Sequence, residues 1–91
     1  MINFKNKKIL ITGATGGIGR NLVKKYVELG GAVLATGTKD EKLEEIKKNF
    51  PRTNVIKFDI SNHSKIEEFV DNVALELGGL DVLINNAGMN M

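Results

Sequence analysis

Residues 12–19 of the 91-residue sequence, Thr-Gly-Ala-Thr-Gly-Gly-Ile-Gly, place glycines at a spacing suited to binding a phosphate. Glycine allows a tight turn with positive φ and lets a phosphate approach backbone N–H groups at the start of a following helix. We call residues 12–19 the glycine loop. Gly13 and Gly19 combine with Gly17 as Gly-x-x-x-Gly-x-Gly, or with Gly16 as Gly-x-x-Gly-x-x-Gly. A structural turn that binds no phosphate is the alternative for this loop taken by itself.

A second motif, Asn85-Asn86-Ala87-Gly88, follows an apolar run near the other end of the sequence. The glycine loop also follows an apolar run, residues 9–11. If the two runs are neighbouring parallel strands, both motifs lie at the same edge of the sheet. The two motifs are therefore predicted to form one site.

Four short apolar runs have the composition of strands that are buried on both faces of a parallel sheet. They are residues 9–11, 32–35, 55–58 and 82–84. The three segments between them repeat apolar residues at helical spacing. Glycines at 30–31 and 78–79 are expected to end the first and third helices, and Pro51 the second. Thr38 with Glu41 and Ser64 with Glu67 predict capping boxes at the starts of the second and third helices.

This alternation predicts an α/β fold with a doubly wound parallel sheet, because parallel neighbours need long crossovers and these are right-handed. We expect a partial sheet with strand order 3-2-1-4 and three crossover helices. The order reverses between strands 1 and 4, and such sheets bind ligands in the crevice at that reversal. The outer edge of the fourth strand and one face of the sheet are expected to be poorly covered, which favours aggregation.

The composition excludes several other classes of function. The net charge of +2 arises from scattered residues of both signs without a basic block, so nucleic acid binding is not indicated. The sequence has no cysteine, which excludes disulfides, thiolate nucleophiles and thiolate metal ligands, and we expect no metal site. The first apolar run is too short for a signal peptide or a membrane span. We expect one small cytoplasmic domain without a membrane partner.

With its glycine loop and its Asn-Asn-Ala-Gly motif, the sequence resembles the short-chain dehydrogenase/reductase family over its whole length. The loop is similar to that family's Thr-Gly-x-x-x-Gly-x-Gly cofactor loop, and residues 85–88 match its second motif, which indicates the short subfamily. The resemblance implies that residues 1–91 are a Rossmann-like NAD(P)-binding domain, the amino-terminal part of a longer reductase domain. Within the family the sequence resembles the bacterial 3-oxoacyl-acyl-carrier-protein reductases of fatty acid biosynthesis.

The resemblance also implies roles for particular residues. The pyrophosphate and the adjoining ribose would be wrapped by Gly13, Ala14, Thr15, Gly16, Gly17, Ile18 and Gly19. Asp59 would accept a hydrogen bond from the adenine amino group, beside the backbone of Ile60. The ribose side of the crevice would be lined by Asn86, Ala87 and Gly88. Alternatively, Asp59 ends its strand and helps to cap the next helix. We expect Asn85 to be structural, bridging backbone groups inside the sheet.

The end of the second strand predicts which nicotinamide cofactor binds. An enzyme that prefers NAD commonly has a carboxylate there, which accepts a hydrogen bond from the ribose 2′-hydroxyl and repels a 2′-phosphate. Here residues 36–39 are Thr-Gly-Thr-Lys, with no acid before Asp40. Thr38 can donate to a 2′-phosphate and Lys39 can neutralise it, which favours NADP(H) over NAD(H). The alternative is that Lys39 is an ordinary surface lysine.

The family's catalytic residues are missing from this sequence. The family uses a serine and a Tyr-x-x-x-Lys pair for proton transfer, but the single tyrosine, Tyr26, has Gly30 four residues later. The two serines, Ser61 and Ser64, are predicted near the adenine end. We therefore expect a partial chain that binds cofactor but is inactive alone. The full-length protein would reduce a carrier-bound or small ketone and form a homo-oligomer. A non-catalytic NADPH-binding regulatory module is the alternative.

Overall fold

The computed structural model describes residues 3–86, which form four strands, three α-helices and one short 3₁₀ turn. In chain order these are β1 Lys8–Thr12, α1 Gly17–Glu28, β2 Ala32–Gly37, α2 Asp40–Asn49, β3 Asn54–Lys57, the 3₁₀ turn His63–Lys65, α3 Ile66–Leu77 and β4 Val82–Asn85. None of the helices between residues 3 and 86 combines the length and hydropathy that crossing a membrane requires.

The four strands form one parallel sheet in the order β3-β2-β1-β4. Leu10 of β1 lies between Leu34 of β2 and Leu83 of β4 in the register of the sheet. A helix connects each strand to the next along the chain, as parallel strands require. The predicted α/β fold, a Rossmann-like doubly wound sheet with three crossover helices, is confirmed.

The two faces of the sheet pack against different helices, because side chains of a strand alternate between its faces. Ile9 and Ile11 of β1 form a core cluster with Val23 of α1 and Ile46 of α2. Leu10 points to the other face and packs in a second cluster with residues of α3. Two helices therefore cover one face, whereas α3 alone covers the other within residues 3–86.

The α3 face is poorly covered at β4, as predicted. Leu83 of β4 is 55% exposed, and a largely apolar cavity of about 460 Å³ opens beside α3. We call it the apolar cavity; it is lined by Leu10, Thr12, Ile60, Ser61, His63, Ile66, Phe69, Val70, Leu83 and Asn85. In the described part of the chain β4 pairs with β1 alone. One edge of β4 is therefore unpaired within residues 3–86.

The predicted ends of the helices agree with the structure. Gly30 follows α1 with a φ of 91°, and Gly78 follows α3 with a φ of 78°. Both conformations suit glycine, which has no Cβ to clash. The helix α2 ends at Asn49, shortly before Pro51.

The predicted capping boxes at the starts of α2 and α3 are wrong. The residue before α2 is Lys39 instead of Thr38, and no side chain caps the helix. The residue before α3 is Lys65, because the 3₁₀ turn takes up Ser64. The Ser64 hydroxyl donates to Oδ1 of Asn62 at 3.1 Å instead of to the helix.

Candidate functional site

A cavity of about 310 Å³ opens at the carboxyl ends of β1, β2 and β3. We call it the loop cavity, because the glycine loop forms one of its sides. It is lined by Thr12, Gly13, Thr15, Gly16, Thr36, Gly37, Thr38, Lys39, Phe58, Asp59 and Ile60. Thr12 and Ile60 also line the apolar cavity, so the two cavities adjoin at the end of β1. The structure thus gathers the glycine loop, the end of β2 and Asp59 at the edge of the sheet where such folds bind ligands.

Gly13 and Gly19 are each required by the geometry of the loop, for different reasons. Gly13 has a φ of 62°, which residues with a Cβ rarely adopt. A Cβ on Gly19 would lie 2.4 Å from the carbonyl oxygen of Gly13, so only glycine allows α1 to approach the loop this closely. A Cβ on Gly17 would meet no atom within 4 Å. Gly13 and Gly19 therefore shape the loop, whereas Gly17 borders open space.

Backbone donors are available at the start of α1. The N–H groups of Gly16, Gly17 and Ile18 donate to no acceptor within residues 3–86. Such N–H groups, together with the dipole of the helix, favour an anion at this position. Ala14 differs, because it is fully buried and its N–H donates to the carbonyl oxygen of Thr36 at 3.0 Å. The contacts of Ala14 are therefore with the protein itself.

Asn86 attaches the end of β4 to the glycine loop. Its side chain is 2% exposed, and Nδ2 donates to the carbonyl oxygen of Gly13 at 3.0 Å. The neighbouring Asn85 accepts a hydrogen bond at Oδ1 from the Thr12 hydroxyl at 2.8 Å. Asn85 thus bridges β4 and β1 through a side chain instead of through the backbone groups that were expected. Together the two asparagines fix the ends of the central strands.

Two predicted site residues, Asn86 and Ile18, do not line the loop cavity, and two others lie outside the described residues. Asn86 is not among the residues that line the loop cavity, so it acts on this cavity through the Gly13 carbonyl. Ile18 is 60% exposed at the start of α1 and also does not line the cavity. Ala87 and Gly88, predicted on the ribose side, lie outside the described residues.

Asp59 lies directly after β3, on the wall of the loop cavity. Its Oδ1 accepts hydrogen bonds from the Ser61 hydroxyl at 2.7 Å and from the Ser61 backbone N–H at 2.9 Å. These two hydrogen bonds lower the pKa of the exposed Asp59 carboxyl below its usual value of 3.8. The carboxylate holds the turn after β3 and does not cap α3, which begins at Ile66. At neutral pH Asp59 is an anionic hydrogen-bond acceptor.

Two further residues of the site were not predicted from the sequence. Phe58 lines the loop cavity, and its ring stacks on Phe69 of α3 with centroids 4.0 Å apart and planes inclined by 5°. A Cβ on Gly37 would lie 2.5 Å from Cγ2 of Thr15, so Gly37 allows the glycine loop to approach the end of β2. The sequence signal for Gly37 was a glycine between two threonines at the end of a strand, whereas Phe58 resembled any other strand residue.

Exposed polar side chains form the outer rim of the loop cavity. We define the rim as Thr38, Lys39 and Asp59, each of which is exposed and lines the cavity. The first acid after β2 is Asp40, whose Oδ2 lies 3.2 Å from Nζ of Lys57 at the end of β3. No acid therefore lies on the β2 side of the rim itself.

The serines and the tyrosine of the described residues lie apart. Tyr26 packs edge to face against Phe4, with ring centroids 5.1 Å apart. Ser61 donates to Asp59, and Ser64 lies in the 3₁₀ turn. Within residues 3–86, no three His, Asp or Glu side chains meet in a group that could hold a metal ion.

A parallel sheet with a glycine loop after β1 and a cavity at its carboxyl edge defines a nucleotide-binding α/β protein. The family model of short chain dehydrogenases matches residues 7–91. The chain therefore belongs to the short-chain dehydrogenase family, as its two motifs predicted.

Known proteins with similar sequences and structures support this membership. The chain is 34% identical over 82 residues to the NADP-dependent 3-hydroxy acid dehydrogenase YdfG of Escherichia coli K12, covering 89% of the chain and 33% of that protein. It is 32% identical to meso-2,3-butanediol dehydrogenase of Serratia marcescens, covering 99% of the chain and 37% of that protein. A crystal structure of a short chain dehydrogenase from Bacillus anthracis superposes with a TM-score of 0.83 at 32% identity, covering 94% of the chain and 36% of that structure. The chain thus spans about a third of the length of these relatives.

Proposed function

We propose that the chain is the cofactor-binding part of an NADP(H)-dependent oxidoreductase that reduces a ketone to an alcohol. The observation that carries this proposal is the loop cavity: the unpaired backbone donors at the start of α1 lie beside it, and it is lined by Lys39, which forms no ion pair within residues 3–86. In this proposal residues 1–91 are the amino-terminal part of a longer reductase domain.

The glycine loop supports binding of the diphosphate. The N–H groups of Gly16, Gly17 and Ile18 have no acceptor among the described residues, and they lie at the positive end of the α1 dipole. We assign the diphosphate to these donors, and the Gly13 turn, fixed by Asn86, positions them. This part of the site recognises a group that NAD and NADP share.

The other side of the loop cavity is suited to the adenosine half of the cofactor. The lowered pKa of Asp59 keeps its carboxylate ionised, so it can accept a hydrogen bond from the adenine amino group. The Phe58 ring, held by Phe69, supplies an apolar wall next to it. Ile60 adjoins this wall, where we assign the adenine ring.

Lys39 and Thr38 support the preference for NADP(H). Both are exposed at the rim and line the loop cavity, where a cation and a hydroxyl donor can bind a 2′-phosphate. No acid competes with them at residues 36–39. The relative from Escherichia coli that is named as NADP-dependent agrees with this assignment.

We assign the substrate to carrier-bound or small ketones, with 3-oxoacyl-acyl-carrier protein as one candidate. The names of the relatives, a 3-hydroxy acid dehydrogenase and a butanediol dehydrogenase, support small hydroxy compounds and their ketones. The carrier-bound candidate would place the protein in cytoplasmic fatty acid biosynthesis. In either case the bound nicotinamide supplies the hydride. We assign proton transfer to a serine, a tyrosine and a lysine in the rest of a full-length homo-oligomer.

Titration of the purified protein with NADPH and with NADH, followed by calorimetry, tests this proposal. We expect NADPH to bind more tightly than NADH. Lys39→Glu should lower the affinity for NADPH by about tenfold or more, because the new carboxylate repels the 2′-phosphate, and should change the affinity for NADH little. Lys48→Glu, the same charge change in the last turn of α2, is the matched control and should leave both affinities nearly unchanged.

Several outcomes contradict the proposal. Tighter binding of NADH, or unchanged NADPH affinity in Lys39→Glu, refutes the assignment of the 2′-phosphate. Absence of dinucleotide binding refutes the site as a whole. NADPH binding by a full-length protein that reduces no ketone would favour the non-catalytic regulatory module.

A further inference from the structure

We infer that Lys57 helps to set the choice of cofactor by holding the carboxylate of Asp40 in an ion pair, away from the 2′-phosphate position. This inference rests on the proposed function, because it concerns the same phosphate. Lys57 is a positioning residue here: it acts through Asp40, without contact to the cofactor.

Lys57 and Asp40 do not line the loop cavity, but each adjoins a residue that does. Lys57 is the last residue of β3 and lies opposite Gly37 of β2 in the register of the sheet. The next residue, Phe58, donates its N–H to the Gly37 carbonyl oxygen at 3.0 Å and lines the cavity. Asp40 is the first residue of α2 and directly follows Lys39. Both members of the pair are thus adjacent in sequence to residues that line the cavity.

The ion pair affects the position of the Asp40 charge more than it affects the stability of the fold. Nζ of Lys57 lies 3.2 Å from Oδ2 of Asp40, and the two side chains are 59% and 68% exposed. Exposed pairs of this kind contribute little to the free energy of unfolding. The pairing nevertheless decides where the Asp40 carboxylate points, since this acid has one hydrogen-bonded partner in the described residues, which is Lys57.

An unpaired Asp40 would oppose the role of Lys39. It is the acid nearest in sequence to Lys39, and its side chain is exposed. If its carboxylate turned towards a bound 2′-phosphate it would repel that group, because exposed charges interact over about 8 Å at physiological salt. With Lys57 paired to Asp40, the charge of this carboxylate is balanced and its position beside Lys57 leaves Lys39 available to the phosphate. A cofactor without the 2′-phosphate should be nearly indifferent to this arrangement.

A double-mutant cycle on the purified protein tests the inference. Lys57→Gln should lower the affinity for NADPH by about three- to tenfold, because the released Asp40 carboxylate can then turn towards the 2′-phosphate, and should change the affinity for NADH by less than about twofold. In the Asp40→Asn background, the same Lys57→Gln change should lower the affinity for NADPH clearly less than it does in the wild type. Lys57→Arg should retain the wild-type ratio of the two dissociation constants, and the loss in Lys57→Gln should shrink in 0.5 M salt.

A control variant separates the role of Lys57 from a general effect of charge. Lys48→Gln removes the same charge at the far end of α2 and should leave the ratio unchanged, and far-UV circular dichroism checks that each variant is folded. An equal loss for NADPH and NADH in Lys57→Gln, or no loss, overturns the inference. The same loss in both Asp40 backgrounds also overturns it, because Lys57 would then act on the phosphate directly. Wild-type protein that prefers NADH overturns the proposed function, and this inference with it.

Discussion

The glycine loop is held by buried contacts, whereas the rim on the opposite side of the loop cavity consists of exposed side chains. In the loop, the Gly13 carbonyl accepts a hydrogen bond from the buried Asn86 and lies against Gly19. At the rim, Lys39 and Asp59 extend into solvent from the ends of β2 and β3. The same cavity is thus bounded by a fixed backbone and by side chains that can be exchanged without repacking the core.

This difference matches the chemistry that we propose for each side. The diphosphate is common to both nicotinamide cofactors, so donors in a rigid backbone serve NAD and NADP equally. The 2′-phosphate differs between them, and exposed charges can select it at little cost to folding. Changes in the loop should therefore lower stability and weaken both cofactors, whereas changes at the rim should alter the ratio of the two affinities.

Gly19→Ala should have the largest effect. The new Cβ would lie 2.4 Å from the Gly13 carbonyl oxygen and 2.6 Å from Cα of Ala14, so the backbone of the loop must move. We expect the free energy of unfolding to fall by about 2–3 kcal/mol. The affinities for NADPH and NADH should fall by a similar factor. Urea unfolding and calorimetric titration measure the two effects.

Gly17→Ala is the control for that change, because its Cβ would meet no atom within 4 Å. It should change the free energy of unfolding by about 0.5 kcal/mol or less. Equal losses of stability in the two alanine variants would contradict the close-approach role of Gly19.

Asn86→Ala should have the next largest effect. It removes the buried donor to the Gly13 carbonyl and leaves that carbonyl without this partner, which costs about 1–3 kcal/mol. The affinities for both cofactors should fall by a similar factor, because the change removes a contact of the glycine loop and leaves the rim residues unchanged. Asn85→Ala, at an exposed position, should cost less stability. A shift in the NADPH to NADH ratio in Asn86→Ala would mean that the loop also selects the cofactor.

Asp59→Asn should show a smaller, pH-dependent effect. The folded-state pKa of Asp59 lies below the usual 3.8, so its carboxylate stabilises the fold above that pH, and this contribution is lost as the pH falls through the folded value. Urea unfolding at several pH values should show a difference between wild type and Asp59→Asn at pH 7 that disappears in strong acid.

Asp71→Asn, at an exposed position of α3, serves as the matched control for this substitution. At pH 7 it should change the free energy of unfolding less than Asp59→Asn does, because it removes no pair of hydrogen bonds like those that Asp59 accepts from Ser61. A constant difference between wild type and Asp59→Asn at all pH values would mean that the hydrogen bonds from Ser61 do not depend on the charge of Asp59.

Much of the fold could be predicted because its signals are local. The apolar run at residues 9–11 and the helical spacing after it predict β1 and α1, and Gly30 ends the helix because it can adopt positive φ. The starts of α2 and α3 were predicted wrongly, since a hydroxyl three residues before an acid is only one of several ways to begin a helix. Thr38 instead lies at the rim of the cavity, and Ser64 belongs to a 3₁₀ turn.

The order of residue types along the chain was enough to predict the alternation of strands and helices, and the resemblance of its two motifs was enough to predict the family. The alternation follows from periodicity and from the backbone freedom of glycine, which are properties of neighbouring residues. Only the tertiary structure decided that Asn86 binds the Gly13 carbonyl, that Gly37 faces Thr15, and that Lys57 pairs with Asp40. Each of these contacts joins residues from different elements, and their distances depend on how strands and helices pack.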